Sequence, residues 1–377
     1  MHPAPAPPAR SRRRPGRSRP ASRWRLPPVL TALVAGALLI AGCGGATSAT
    51  EDTPTADGGG APSGTLRLGY FPNVTHAPAL VGLAEGIYED ALGEGVTLET
   101  RTFNAGGEAV EALLSGAIDA TYIGPNPAIN GYARSNGEAL RIIAGTTSGG
   151  AYLVTRPDIT EPSQLAGTTL STPALGNTQD VALRAWLAEQ GFETTVEGGG
   201  EVAIQPQENA QILETFIAGN IDGAWVPEPW ATRLIEEGGG HVLVDERDVW
   251  PQTEGEYVTT HLIVATSFLE EQPEIVAALL QGHLDAIDRT NEDPAAVAEV
   301  VAEGISSVTG VSPDTGVVTT ALGNLTFTTD PIADSLRGSA DDAIAVDLLE
   351  PVDLDGIYDL TLLNGLLTER GESEVAG

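Results

Sequence analysis

The fold is indicated by two stretches of sequence, residues 113–127 (LLSGAIDATYIGPNP) and residues 216–230 (FIAGNIDGAWVPEPW). They repeat one pattern at an offset of 103 positions. Each segment contains Gly-x-Ile-Asp, then an apolar run, then a proline-containing turn. The matched pairs are Gly116 with Gly219, Ile118 with Ile221, Asp119 with Asp222, and Tyr122 with Trp225. At the same offset Thr75 falls on Thr178, and each threonine opens a helical pattern. The repeat predicts two lobes built on one plan.

From Leu66 onward, short β-branched or apolar runs alternate with helical periodicity, which is typical of an α/β fold. The candidate strands are residues 66–70, 96–103, 118–123, 140–144, 168–171, 202–205, 221–226 and 241–244. In two such lobes, the turns after the first strand and after the Ile-Asp strand line a shared cleft. These turns comprise residues 71–76, 124–127, 175–179 and 227–230.

Helix N-termini at these turns favour an oxyanion as the ligand. They carry unpaired N–H groups and a partial positive charge, so several of them facing one cleft hold an anion without any lysine. The predicted ligand-binding residues at the first three turns are Asn73, Thr75, His76, Gly124, Pro125, Asn126, Asn177, Thr178 and Gln179. The plainer alternative is that Thr75 only caps a helix and His76 faces solvent.

Two tryptophans and a glutamate at the fourth turn extend the predicted ligand-binding set. Trp225 and Trp230 would form a wall that suits the alkyl part of a ligand, although Trp225 also fits a core position in its strand. Glu228 would repel an anion. It therefore points to the rim, pairs with Arg184 or Arg233, or indicates an amine-bearing ligand such as a zwitterion.

The histidines give no pattern of metal ligands. His261, on a later strand, is the last residue of the predicted ligand-binding set, with a structural role as the alternative. His241 and His283 are predicted to be surface residues. Scattered histidines without cysteine partners predict no metal site, and we expect no cofactor and no catalytic residue.

Composition excludes several classes of function. The chain has 52 acidic residues against 19 basic ones and a formal net charge of −33, and eight of the basic residues precede residue 26. An acidic body of this kind does not bind nucleic acid, which needs clustered cations. Lysine is absent from the sequence. This excludes P-loops and Schiff-base chemistry.

The N-terminal residues have the layout of a targeting segment. A basic stretch to Arg25 is followed by an apolar run over residues 29–41, which predicts a secretory signal over residues 1–42. The run ends Leu-Ile-Ala-Gly before Cys43, the only cysteine, and resembles the lipobox of bacterial lipoproteins. We expect Cys43 to be lipidated and residues 43–64 to form a flexible tether.

Three motifs resemble the substrate-binding proteins of ABC importers. They are residues 66–80 (LRLGYFPNVTHAPAL), the Gly-x-Ile-Asp-Ala-x-Tyr-Ile-Gly-Pro segment, and residues 225–230 (WVPEPW). The sequence is most similar to the nitrate, sulfonate (taurine-like) and bicarbonate cluster, which is related to the thiamine-precursor binding proteins. The resemblance covers about residues 65–290.

The resemblance implies a type II, two-lobe periplasmic-binding-protein-like fold with a two-segment hinge. Lobe one would comprise residues 65–153 and 261–377, with helices over 267–288 and 294–303, and lobe two residues 154–260. The protein would be a monomer on the outer face of the cytoplasmic membrane or in the periplasm, where it would deliver its ligand to a membrane permease.

The sequence leaves open which ligand is bound and whether the protein is an enzyme. The leading prediction for the ligand is a small organic oxyanion, and among these an aliphatic sulfonate. The alternatives are nitrate, bicarbonate and a thiamine-precursor pyrimidine. A secreted enzyme on the same scaffold would need a nucleophile with an oriented base. The sequence has no Gly-x-Ser-x-Gly elbow, but a Ser-His-Asp set stays open.

Overall fold

The computed structural model describes residues 62–377. The predicted signal segment 1–42, the predicted lipidation site Cys43 and nearly all of the predicted tether 43–64 lie outside the described residues. None of the helices in the described part is both long and apolar enough to cross a membrane.

Strands and helices alternate through the described residues. The strands are β1 (Gly64–Tyr70), β2 (Val96–Thr102), β3 (Ala120–Ile123), β4 (Leu140–Gly149), β5 (Ala151–Thr155), β6 (Thr169–Thr172), β7 (Ala203–Pro206), β8 (Gly223–Pro227), β9 (His241–Asp245), β10 (Val258–Ala265) and β11 (Leu325–Phe327). The helices are α1 (Ala77–Ala84), α2 (Ile87–Leu92), α3 (Gly106–Leu114), α4 (Pro125–Arg134), α5 (Thr178–Glu189), α6 (Asn209–Ile217), α7 (Trp230–Glu236), α8 (Thr266–Glu271), α9 (Pro273–Glu292), α10 (Pro294–Thr309), α11 (Thr315–Gly323), α12 (Ala333–Ala345) and α13 (Thr361–Arg370). Short 3₁₀ helices cover Val74–His76, Pro162–Leu165, Glu246–Val249 and Pro251–Thr253. Every predicted strand overlaps an observed one.

The strands form two mixed sheets. In the described residues, the first has the order β11-β4-β10-β3-β1-β2 and the second has the order β7-β6-β8-β5-β9. Parallel pairs β1·β2 and β1·β3 in the first sheet correspond to β6·β7 and β6·β8 in the second. The chain passes from the first sheet to the second at Gly150, and it returns between Asp245 and Val258.

The repeated Gly-x-Ile-Asp segment has the same structural role in both sheets. The Asp119 carboxylate accepts the backbone N–H of Arg67 at 2.8 Å, and the Asp222 carboxylate accepts that of Thr169 at 2.8 Å. Each aspartate in turn donates its own N–H to the carbonyl of the same partner. These paired bonds fix where β3 meets β1 and where β8 meets β6. They explain why the repeat is visible in the sequence.

The predicted helix over residues 267–288 is two helices, α8 and α9. Proline fixes its own φ and has no N–H group, so Pro273 begins α9 instead of continuing α8. The preceding Gln272 has a non-helical conformation, with φ −136° and ψ 49°. The C-terminal residues add β11 to the edge of the first sheet, beside β4, and place α12 against both α4 and α5.

The prediction that His283 lies on the surface is wrong. Its side chain is fully buried in α9, where Nε2 donates to the Gly145 carbonyl at 2.8 Å. Nδ1 accepts a hydrogen bond from the Tyr122 hydroxyl at 2.9 Å. Burial lowers the pKa of His283 to about 4, so the ring is neutral near pH 7. This histidine links α9 to the first sheet.

Candidate functional site

A cavity of about 720 Å³ lies between the two sheets. Its lining residues come from segments 71–76, 103–106, 124–127, 259–260 and 305–314 on the side of the first sheet, and from 173–179, 208–217 and 227–237 on the side of the second. Most of these segments follow the carboxyl end of a strand. This is the edge at which open α/β sheets bind ligands.

Helices begin at the cavity on both sides. The lining residues at these beginnings are Asn73 and Thr75 before α1, Gly106 of α3, Gly124 before α4, Thr178 of α5, Asn209 of α6 and Trp230 of α7. The first N–H groups of a helix have no partner within it, and the helix dipole adds a partial positive charge there. The cavity is therefore suited to an anion.

Thr75 and His76 lie in the 3₁₀ turn that leads into α1. Asn73 shapes this turn, because its side chain accepts the N–H of Thr75 at 3.2 Å. Nδ1 of His76 accepts the N–H of Phe71 at 3.4 Å, and the two rings stack with centroids 4.7 Å apart. Burial lowers the pKa of His76 to about 3. The imidazole is thus neutral, with its proton on Nε2 as a donor.

Thr178 and Gln179 open α5 on the other side. Asn177 caps this helix by accepting the N–H of Asp180 at 2.9 Å, and it also donates to the Gln179 side chain at 3.1 Å. A methyl group on Gly124 would lie 2.8 Å from the Thr178 hydroxyl oxygen. The two sides of the cavity therefore approach each other at Gly124 and Thr178.

Thr260 is a site residue that the sequence analysis missed. It lines the cavity from β10, is 1% exposed, and its hydroxyl has no hydrogen-bond partner. A buried hydroxyl without a partner costs about 1–3 kcal/mol, so such groups usually meet a ligand or water. The neighbouring Thr259 also lines the cavity, but its hydroxyl donates to the Gly149 carbonyl at 2.6 Å.

Eight predicted ligand-binding residues line the cavity: Asn73, Thr75, His76, Gly124, Asn177, Thr178, Gln179 and Trp230. Five do not: Pro125, Asn126, Trp225, Glu228 and His261. Asn126 is buried in α4 and donates to the Ser339 carbonyl at 3.0 Å. His261 is buried on β10, and its Nε2 donates to the Pro331 carbonyl at 3.0 Å.

Trp225 and Glu228 both have structural partners away from the cavity. The Trp225 indole is fully buried and donates to Glu246 at 2.6 Å, so the predicted wall keeps only Trp230. The Glu228 carboxylate is buried and accepts the hydroxyl and N–H of Thr232 at 2.9 and 3.0 Å. It also accepts the Asn324 side chain at 2.6 Å. Neither predicted arginine partner of Glu228 contacts it.

The two arginines have other partners. Arg184 forms a buried pair with Asp180 at 2.9 Å, within α5. Arg233 lines the cavity, pairs with Glu237 at 2.6 Å and lies 5.0 Å above the Trp230 ring. The other charged residues of the lining are Glu208, Glu214 and Asp314. The lining of the described chain therefore carries more carboxylates than guanidinium groups.

The turns after β2 and β7 were also missed. Asn104 to Gly106 follow β2, and Glu208 to Ala210 follow β7. At the offset of 103, Gly106 at the start of α3 falls on Asn209 at the start of α6, so these two turns occupy equivalent places in the repeat. Among residues 62–377, no group of three or more His, Cys, Asp or Glu side chains is arranged to hold a metal ion.

The two sheets, their matching strand orders and the cavity between them define the periplasmic-binding-protein fold. Solved structures share it. The nitrate-binding protein NrtA from Synechocystis PCC 6803 matches with a TM-score of 0.68 at 16% identity, over 82% of this chain and 90% of that one. The alkanesulfonate-binding protein SsuA from Xanthomonas axonopodis pv. citri, bound to MOPS, matches with a TM-score of 0.64 at 18% identity, over 80% of this chain and 99% of that one.

The chain belongs to the NMT1-like family, which matches residues 59–306. The taurine-binding periplasmic protein of Escherichia coli (strain K12) is 28% identical over 212 residues, which are 55% of this chain and 62% of that protein. The chain spans 34% and 36% of the lengths of two further curated relatives. The predicted resemblance and fold class are confirmed.

Proposed function

We propose that this protein is the extracytoplasmic substrate-binding component of an ABC importer. In this role it captures a small organic oxyanion and delivers it to a membrane permease. The ligand that we favour is an aliphatic sulfonate. The names of its relatives support the class: one is a taurine-binding protein and two structural neighbours are an alkanesulfonate-binding and a nitrate-binding protein. Nitrate, bicarbonate and a thiamine-precursor pyrimidine are the alternative ligands.

The observation that carries the proposal is the set of helix N-termini from both sheets at one cavity, together with the unpartnered hydroxyl of Thr260. Hydroxyl and N–H groups of this kind stabilise an oxyanion in the way that lysine does elsewhere. Because they come from both sides, an anion bound between them draws the two sides together. The ligand is an anion or a zwitterion, since the carboxylates of the lining suit an ammonium group.

Ligand capture by hinge closure follows from the two crossings of the chain. Gly150 has φ +73°, which favours glycine, and it joins β4 of the first sheet to β5 of the second. Residues 246–257 form the returning segment. Rotation about these two segments would change the distance between Gly124 and Thr178, as in other hinged binding proteins.

Three histidines have partners that differ from those of a Ser-His-Asp set. Among the described residues, His76, His261 and His283 bond to backbone groups and to Tyr122, and none of these bonds reaches a carboxylate. A Ser-His-Asp set needs such a bond. Lipidation at Cys43 would anchor the protein at the outer face of the membrane, where we propose that it acts as a monomer.

A thermal-shift panel tests the proposal, because a ligand that binds only the folded state raises the melting temperature. The panel contains taurine, ethanesulfonate, nitrate, bicarbonate and a pyrimidine precursor. We expect ethanesulfonate or taurine to raise the Tm of the wild type and of Thr319→Val, an exposed control on α11, but not of Thr178→Val. A rise with nitrate, bicarbonate or the pyrimidine alone would replace the substrate, and no rise with any compound would contradict the proposal.

A further inference from the structure

Two large exposed apolar side chains line the cavity. Among the described residues the exposed large apolar side chains are Leu175, Ile217, Val242, Val308 and Val311. Ile217 and Val311 line the cavity, Ile217 from the end of α6 and Val311 from the loop after α10. They are 54% and 65% exposed.

Burial separates two zones of the cavity. The residues that are candidates for binding the oxyanion form the floor of the cavity, because Thr178 is 7% exposed and Thr260 only 1%. Ile217 and Val311 form its mouth. A ligand whose oxyanion lies on the floor would therefore extend the rest of the molecule toward the mouth, where these two apolar side chains line the cavity.

The loop that carries Val311 is held in place at both ends. The Thr309 hydroxyl donates to the Ile305 carbonyl at 2.9 Å and accepts the N–H of Val311 at 3.2 Å. Asp314 caps α11 by accepting the N–H of Gly316 at 2.8 Å. The family match ends at residue 306, so this wall of the cavity comes from residues beyond the matched region.

The size of the cavity indicates a ligand larger than a two-carbon sulfonate. If each non-hydrogen atom takes at most about 30 Å³, the share of one water molecule in the liquid, ethanesulfonate fills less than about 180 Å³. The cavity holds about 720 Å³. A two-carbon sulfonate would therefore leave most of the cavity to solvent, whereas a longer chain would bury more apolar surface in it.

We infer that Ile217 and Val311 form a tail subsite for the alkyl chain of an oxyanion ligand, and that longer alkanesulfonates are preferred to short ones. The inference rests on the proposed function, because it needs the oxyanion to bind on the floor. Ile217 and Val311 would select the length of the alkyl chain, whereas the residues of the floor would select a ligand with a negatively charged group.

Titration calorimetry of the full chain with methane-, butane- and octanesulfonate tests the inference. Each methylene group that becomes buried should lower Kd by up to about fourfold. We expect Val311→Ser and Ile217→Ser each to raise the Kd for octanesulfonate about tenfold and to leave the Kd for methanesulfonate unchanged. Val242→Ser is the matched control, because Val242 is also exposed but lies on β9 outside the cavity lining.

Equal affinity for all three sulfonates would overturn the tail subsite and leave the proposed function intact. A chain-length preference that both variants retain would overturn the assignment of Ile217 and Val311. Loss of methanesulfonate binding in the variants would mean that these residues act on the floor, which also contradicts the inference. If none of the three sulfonates binds, the tail subsite fails, and the thermal-shift panel with taurine, nitrate, bicarbonate and the pyrimidine decides separately whether the proposed function fails as well.

Discussion

Gly124→Ala should weaken ligand binding without destabilising the fold. Gly124 precedes α4 with φ −72° and ψ 161°, an extended conformation that alanine adopts without strain. The new methyl group would lie 2.8 Å from the Thr178 hydroxyl oxygen, on the opposite side of the cavity. The substitution thus penalises the approach of the two sides and not the folding of either one.

The magnitude follows from the cost of overpacking. A contact below 3.0 Å forces one of the two groups to move. Inserting a methyl group into a well-packed site typically costs about 1–3 kcal/mol. If the bound form alone bears this cost, Kd rises about 5- to 150-fold. The unliganded protein should keep its Tm or gain slightly, because alanine restricts the unfolded chain more than glycine does.

Titration calorimetry with an alkanesulfonate measures the affinity, and differential scanning calorimetry without ligand measures the stability. Gly107→Ala is the matched control, since Gly107 lies exposed within α3 and an added methyl group there meets nothing within 4 Å. It should leave Kd unchanged and stabilise the helix by up to about 1 kcal/mol. An unchanged Kd in Gly124→Ala would contradict the claim that the two sides approach each other at Gly124 in the bound form. A fall in Tm that matches the loss of binding would show that the substitution acts on folding instead.

Three further substitutions test individual groups. Thr260→Val should keep or raise the Tm of the free protein, because it removes a buried hydroxyl without a partner, and should weaken binding about fivefold in calorimetry. Thr178→Val should weaken binding about 10- to 100-fold, the value of a hydrogen bond to a charged ligand, while Asn177 still caps α5. Burial raises the pKa of Glu246 from 4.5 to about 7, so the wild type loses stability as pH rises from 4.5 to 7, and Glu246→Gln does not. Urea unfolding should therefore show Glu246→Gln gaining about 3 kcal/mol relative to the wild type between pH 4 and pH 8, and no change would contradict the buried carboxylate.

The repeat made the fold predictable from the sequence. Asp119 and Asp222 form equivalent bonds that join strands, so the same residues had to appear at the same offset. Thr75 and Thr178 open helices at equivalent turns, and both line the cavity. Local rules of capping and strand pairing govern these positions, and such rules are readable without knowledge of the tertiary structure.

The rest of the site depends on tertiary packing. Successive side chains on a strand point to opposite faces, so the order Thr260-His261 does not say which of the two faces the cavity. In the structure Thr260 does, and His261 bonds to Pro331 instead. Glu228 is likewise engaged by Asn324, which is 96 positions away in the sequence. Val311 lies outside the repeat, so no sequence pattern placed it at the cavity.

A crystal structure of the protein grown with an alkanesulfonate tests the central claim most directly. We expect the sulfonate oxygens to lie within about 3 Å of the Thr178 hydroxyl and of donors on the opposite side, including His76 Nε2 and the Thr260 hydroxyl. A sulfonate bound elsewhere, or bound here without contacts from both sides, would contradict the claim that helix N-termini of two lobes capture the ligand together.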